Sequence, residues 1–555
     1  VPEIVLSTLN ARFIHASFGL RCLLANLGDL RSRAHIAEFE IKQTPLEIVE
    51  TLLARHPRII GLGVYIWNVR PTLEVVAILK RLRPDITVVL GGPEVSHETD
   101  LQDIIRLADH TITGEADLAF ANLCRSLLNP SPHTPPPPRV IHAPLPDLNQ
   151  LRLPYDEYTD HDLAHRVLYI EASRGCPFTC EFCLSSLDLP VRAFPLQPFL
   201  EAMDRLLTRG ARQFKFVDRT FNLNLSVSRA ILRFFKDRWR DGLFLHFEMI
   251  PDRLPEALRD EIAGFPPGAL QFEIGIQSFN PEVCERIRRR QDVARTEDNF
   301  RFLRRNTGVH VHADLIFGLP GESLESFGAG FDRLLALGPQ EIQVGLLKRL
   351  RGTPISRHDE SWGMRYNPVA PYELLENRTL DFPTVQRLRR FARFWDLVAN
   401  SGRFPNSLPL VWTGSPAPSP FHRFLAFSDW LHATLGQTHG IALDRLAEAL
   451  RRWLIQQAGL PATTVDQAMA DDWRRLGRRD LPAWLTPPTP AAPESNATGT
   501  GPTASSQPAG TGRVPPPIPR RQSRHLTGSR PAAPAPATTP VQTTGPDAGS
   551  VPDPD

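Results

Sequence analysis

Cysteine is scarce in this chain, with six in 555 residues. Cys22, Cys124 and Cys284 stand singly and the other three fall together, so no disulfide framework staples the protein. A dominant charge sign is missing too. The 63 lysines and arginines nearly balance 61 acids, leaving +2, which gives no argument for a nucleic-acid or membrane partner. No apolar run approaches the roughly 20 residues that span a bilayer. The N-terminus lacks the charged-then-apolar layout of a secretory signal, since EIVLSTL is short and reads as a strand. A start at Val1 fits a non-standard start codon or a few missing residues. These absences predict a cytoplasmic protein in a reducing compartment, and the length suggests three or four domains.

What is present is an α/β pattern. Short β-rich runs at 3–9, 35–41, 59–65, 86–92 and 110–114 alternate with helical segments. This predicts a doubly wound, Rossmann-like parallel sheet over 1–128. NPSPHTPPPP opens a proline-rich surface linker over 129–150. A second domain, 151–355, holds candidate strands at 167–173, 213–218, 243–249, 270–276, 311–317 and 341–347. Six β–α repeats in this length predict a partial (β/α)6 parallel barrel. Residues 356–486 turn helical and arginine-rich and are expected to cap the barrel mouth. Residues 487–555, rich in Pro, Ala, Thr, Ser and Gly, are expected to be disordered. Within them PRRQSRH (519–525) reads as a solvated basic run, with a docking patch as the alternative.

The chemistry concentrates in Arg174-Gly175-Cys176-Pro177-Phe178-Thr179-Cys180-Glu181-Phe182-Cys183, directly after the first strand of the second series. Thiolates at this spacing can wrap one loop around a [4Fe-4S] cubane, each binding one iron. No fourth cysteine stands nearby, so one iron is left for another ligand. S-adenosylmethionine (SAM) can chelate it through its amine and carboxylate, setting the sulfonium beside the cluster. Structural zinc is the bland alternative, but it wants four ligands in paired spacings. A dithiol redox site would leave the third cysteine unexplained.

CxxxCxxC after a barrel strand, with aromatic Phe182 before the last cysteine, resembles the signature of the radical SAM superfamily. With the N-terminal unit, the chain resembles cobalamin-binding-domain radical SAM proteins, in a branch with an extra C-terminal helical domain. The resemblance spans about 1–480. It implies Cys176, Cys180 and Cys183 as iron ligands and Phe182 beside SAM. It implies Asp218, in FVDRTFN, near the SAM amino group, although the family's glycine pair is absent here. Glu248 resembles an acid that contacts SAM, and Gln277 and Asp314 resemble polar contacts to the nucleoside. Arg290 resembles an arginine that meets the SAM carboxylate, with Arg289 equally placed. Each of these also reads as an ordinary strand-end cap or turn residue.

The first domain presents strand ends at 9–19, 63–68, 91–96 and 113–117. Gly91, Gly92 and Gly114 there permit the close backbone approach of a bulky cofactor tail. These features resemble a cobalamin-binding domain. The DxHxxG loop of that family is absent: Phe13 stands where its Asp would be and Gly19 falls one residue late. His15 is the candidate cobalt ligand, weighed against a helix-entry or surface histidine, and a cofactor-free unit kept for packing is the counter-reading. The resemblance implies a cobalamin-dependent radical SAM enzyme, a methyltransferase on an unactivated carbon, reduced by a donor such as flavodoxin or ferredoxin. The runner-up is another radical reaction (rearrangement, cyclisation or oxidation) without cobalamin. A non-catalytic metalloprotein scaffold is the third.

Overall fold

The computed structural model describes residues 2–485 and 520–526, apart from 131, 132, 134, 188, 189, 414–418, 478 and 479. Almost all of the expected disordered segment therefore lies outside the described residues. Among those described, no helix is long and apolar enough to cross a membrane.

The first sheet contains β1 (Ile4–Asn10), β2 (Ala34–Glu40), β3 (Ile59–Gly63), β4 (Thr87–Gly91), β5 (His110–Thr113) and β6 (Val140–His142). They pair in parallel in the order β2-β1-β3-β4-β5-β6. Every residue of β1 is buried, as expected of a strand covered by helices on both faces. Val5, Leu9, Ile60 and Leu62 enter the core on one side, and Ile4, Leu6, Ile59 and Val89 the other. Strand β6 corrects the expectation that 129–150 is all linker. Three residues are too few to show periodicity, and this strand is secured locally, where Arg139 donates to the backbone carbonyls of Arg106 and Ala108.

The second sheet contains β7 (Leu168–Ile170), β8 (Gln213–Phe216), β9 (Phe244–Met249), β10 (Leu270–Gln277), β11 (His310–Phe317) and β12 (Glu341–Leu346). These are also parallel, in the order β12-β11-β10-β9-β8-β7, and the two end strands do not pair, so the barrel is partial. Each strand splits its side chains by pleat. Phe214, Phe216, Phe247, Phe272 and Ala313 join the core beneath the surrounding helices. Between them come Lys215, His246, Glu248, Glu273, His312 and Asp314. Register sets Lys215 beside His246, Glu248 beside Glu273, Glu273 beside His312, and His312 beside Glu341. The inner face is therefore strongly ionisable.

Two sequence expectations fail here. The helices from Phe382 onward pack on the barrel's flank, and although Arg357 and His358 brace the cysteine loop through Glu181, none of the described residues lining the cysteine pocket comes from 356–486. The apolar face of Phe382–Val398 finds its partner in the barrel: Trp395 and Phe391 pack edge-on against Phe331 of helix Leu324–Leu337, at 4.8 and 5.2 Å. Asn400 extends this attachment to β12, bonding Ile342 through both its amide N–H and its carbonyl. The tail's basic cluster is not simply solvated either. Arg520–Leu526 is a short helix docked at the N-terminal ends of β10 to β12, because its arginine meets a buried carboxylate there.

Candidate active site

Cys176, Cys180 and Cys183 sit on the loop leaving β7 by way of Ser173 and Arg174, which pair with Arg192–Ala193. Gly175 turns the chain at φ +94°, a backbone that side chains disfavour. The loop is held from below by Glu181, whose side chain is 1% exposed. It meets Arg357 at 2.6 Å, His358 at 2.8 Å and Arg288 at 3.0 Å. The Glu181 N–H donates to the Ile287 carbonyl, and the Ser186 hydroxyl to that of Cys183 at 2.6 Å. All three thiols are free, and two of them are buried. Arg289 Nη1 approaches Cys180 Sγ at 3.7 Å, a placement suited to a thiolate.

The three cysteines line one cavity of about 370 Å³, open at the C-terminal ends of the barrel strands. Phe182, Glu248, Gln277, Arg290 and Asp314 line it with them, so the structure brings these expected SAM contacts together. Asp218 is turned away. Its carboxylate accepts from Ala172 N–H at 3.0 Å and the Ser173 hydroxyl at 2.6 Å, and it faces a separate cavity. Burial pushes this carboxyl up to about 6. The neighbouring Arg219 faces the cysteine pocket instead and pairs with Glu248 at 2.9 Å.

Gln277 holds φ +70° at a bulge in β10, and its buried side-chain oxygen has no hydrogen-bond partner. Asp314 Oδ1 is likewise buried and unbonded, with His312 Nε2 at 3.3 Å. Burial pushes the Asp314 carboxyl up, and His312 pulls it back down. Burial also pushes Glu248 up, opposed by Arg219. Glu273 goes the other way: although burial opposes it, the His246 hydrogen bond at 3.0 Å and the Lys215 ammonium hold it well below the usual carboxylate range. Sequence reasoning missed Arg219 and Glu273. The signal was there for Glu273, in the polar alternation of LHFEM, QFEIGI and HADLIF.

A second cavity, of about 240 Å³, opens at the C-terminal ends of the first sheet's strands. Gly61, Gly63, Gly91, Gly92 and Gly114 line it. A Cβ on Gly91 would fit without a clash, in van der Waals contact with the Ile112 carbonyl at 3.8 Å. At Gly92, with φ +109°, a Cβ would strike the Val64 carbonyl at 2.5 Å, so only glycine fits. His15 does not line this cavity. Its Nδ1 lies 2.7 Å from the Tyr169 hydroxyl, and its backbone bridges Val167, so it joins the two sheets.

The cavities share a wall. Arg174 lines the first-domain cavity with Glu171 and Asp117, and Cys176, two residues on, lines the other. Arg174 reaches Glu115 at 2.7 Å and both Asp117 and Glu171 at 2.8 Å, tying the sheets together.

The residues fit three cofactors. Among the described residues no three His, Cys, Asp or Glu converge as ligands of a single ion would. Three free thiols spread over one pocket wall suit the larger cubane. Gln277 and Asp314, each with a buried oxygen lacking a hydrogen-bond partner, line the pocket that SAM would fill. The glycine-lined cavity suits a cofactor tail pressed against backbone.

Comparisons with known proteins agree. The radical SAM superfamily matches residues 170–334, the B12 binding domain residues 5–124, and a protein family of unknown function, DUF4080, residues 360–497. The chain is 23% identical over 458 residues to the cobalamin-dependent radical SAM methyltransferase TokK of Streptomyces tokunonensis, covering 74% of this chain and 63% of the relative. It is 26% identical to 2-(S-pantetheinyl)-carbapenam-3-carboxylate methyltransferase of Streptantibioticus cattleyicolor, over 57% of this chain and 51% of that one. The chain thus spans between half and two thirds of these relatives' length.

Among solved structures, the radical SAM methyltransferase TsrM from Kitasatospora setae, with tryptophan and a SAM analogue bound, shares the fold at TM-score 0.55 and 19% identity. That match covers 68% of this chain and 80% of that one. The cobalamin-dependent SAM radical enzyme OxsB does so at TM-score 0.57 and 12% identity, over 86% and 84%. The two domain matches bring with them a [4Fe-4S] cluster, SAM and cobalamin as cofactors, and the reading without cobalamin is not favoured. The chain carries a radical SAM domain over residues 170–334, preceded by a B12-binding domain over 5–124.

Proposed function

We propose that this protein is a cobalamin-dependent radical SAM methyltransferase acting on an unactivated carbon. The observation that carries the reading is the shared wall, where Arg174 faces the glycine-lined cavity and Cys176 the thiol pocket. Two trans peptide units bring those residues to within about 7 Å. When bound, the cluster with SAM supplies a hydrogen-abstracting radical, and cobalamin supplies a transferable methyl group.

The chain's own residues hold and orient. Cys176, Cys180 and Cys183 leave one iron for SAM. Gln277 and Asp314 offer acceptors to its nucleoside, and Glu248, Arg219 and Arg290 surround its charged end. Phe182, Met249 and Ile250 keep water from the pocket. The proposed division of labour gives cobalamin to 1–128 and SAM cleavage to 151–355, joined by 129–150. The helical unit 356–486 supports the barrel's flank and, through Arg357 and His358 on Glu181, the cysteine loop. Flavodoxin or ferredoxin is the proposed electron donor, in a reducing cytoplasm.

Anaerobically reconstituted protein tests this directly. With dithionite it should release 5′-deoxyadenosine and S-adenosylhomocysteine and should retain cobalamin absorbance after desalting. 5′-Deoxyadenosine without cobalamin retention would refute the methyltransferase. Neither product would leave only a scaffold.

A further inference from the structure

The tail's basic cluster belongs to neither cavity, yet it is docked. Gln522 Nε2 donates to Gln271 Oε1 at 2.9 Å, and Arg524 Nη1 to the Ser401 carbonyl at 3.1 Å. The His525 ring stands edge-on to His310, 5.2 Å between centroids. Gln271, His310 and Glu341 all lie at the starts of their strands, at the end of the barrel opposite the cysteines.

Arg521 does more than dock. One guanidinium nitrogen lies 2.8 Å from Glu341 and 2.6 Å from Asp396, and another donates to the Asn400 carbonyl at 3.0 Å. The Glu341 side chain is 2% exposed. That carboxylate is shared: His310 lies 3.0 Å from one oxygen, and His312 Nδ1 3.6 Å from the other. His312 in turn places Nε2 3.3 Å from Asp314, which lines the cysteine pocket. A file of ionisable groups thus runs the length of the lumen, from the tail to the reaction chamber.

We propose that Arg520–Leu526 is the floor of the barrel, and that Arg521 is a positioning residue for the reaction, acting through Glu341 and His312 on the charge of Asp314. The proposal rests on the reading of the cysteine pocket as the reaction chamber. Its physics is that of a lumen away from bulk water, where each charge weighs heavily on the next. The groups facing His312 are Asp314 on its own strand, Glu273 and His246 across β10 and β9, and Glu341 with His310. Lys215 acts on Glu273 and Asp314. Arg521 is the cation that the tail adds to this set. With it present, Glu341 is balanced from below and leans less on the imidazoles. Without it, the Glu341 oxygen that Arg521 held is left to His312 at 3.6 Å, while His310 stays on the other oxygen, and no arginine beneath opposes the imidazolium, so His312 keeps its proton to higher pH.

The test uses the full-length chain without cofactors, following histidine C2 hydrogen exchange by mass spectrometry from pH 5 to 9. Arg521→Gln should move the His312 midpoint upward by on the order of half to one pH unit. Arg521→Lys should leave it at the wild-type value. Exposed His422 in the helical region, which neither variant should move, serves as reference. Amide exchange over 520–526 reports docking separately. An unmoved His312 midpoint in Arg521→Gln would overturn the proposal, as would an equal shift in both variants. The readout needs no SAM cleavage, so a protein failing to cleave SAM would refute the methyltransferase reading and leave the histidine result standing. In reconstituted enzyme, the pH profile of 5′-deoxyadenosine formation should move upward with His312 in Arg521→Gln alone.

Discussion

Replacing Arg174 with leucine takes one cation from among three carboxylates. The Arg174 side chain is 14% exposed, and those of Asp117 and Glu171 are 6% and 8%. Glu115 keeps a second partner in Arg192, so the loss falls on Asp117 and Glu171. Deleting one member of a buried ion pair costs about 3–5 kcal/mol, because the remaining charge is left uncompensated. The pH dependence has a definite sign. Burial already pushes Glu171 up to about 7, against the downward pull of Arg174. A carboxyl raised on folding favours the folded state below its unfolded value, and this contribution is lost as pH rises through the folded one. In the wild type that loss is largely over just above pH 7. In Arg174→Leu the Glu171 carboxyl rises further, so the loss continues through pH 8 and beyond. Urea unfolding of the apo chain, followed by tryptophan fluorescence at pH 5 and pH 8.5, reads both effects. The variant should fall about 3–5 kcal/mol below wild type at pH 8.5, and the gap should shrink by up to roughly 2 kcal/mol at pH 5, since Glu171 can hold its proton over only about 1.5 further pH units. A gap below about 1 kcal/mol at pH 8.5, or one equal at both pH values, refutes the reasoning.

Other substitutions separate the two cavities. Cys180→Ser should lose cluster iron and 5′-deoxyadenosine release together, as measured by iron analysis and chromatography. Gly91→Leu grows into the glycine-lined cavity and should weaken cobalamin retention at least about tenfold, some 1.4 kcal/mol, with the iron content unchanged. His15→Ala should cost about 1 kcal/mol in unfolding for its Tyr169 bond and leave the spectrum of bound cobalamin unaltered. Glu248→Gln should raise the KM for SAM about tenfold, whereas Asp218→Asn should leave it in place, since that carboxylate faces away.

The strands were legible because parallel strands buried on both faces read as apolar runs, and IIGLG and TVVLG could hardly be anything else. The cysteine loop was legible because its chemistry is local in sequence. What escaped was set by distant partners. FVDRTFN announces a strand end but not which residue turns inward, and Asp218 is claimed by the backbone of Ala172 and the hydroxyl of Ser173. His15 carried a ligand-like position, yet its partner Tyr169 lies beyond the first domain. RRQSRH looked like a solvated run because its carboxylate, Glu341, is far back in the chain. The C-terminal helices showed an apolar face without showing that Phe331 would cover it.

The bridge between His15 and Val167, with the Arg174 cluster beside it, carries a kinetic implication. Two cofactor compartments stitched together by backbone pairing and a buried guanidinium cannot work like modules that swing apart to shuttle a group between stations. Their separation is built in as the chain folds, so transfer between them should be insensitive to solvent viscosity, and any slow motion in turnover should belong to substrate entry or product exit.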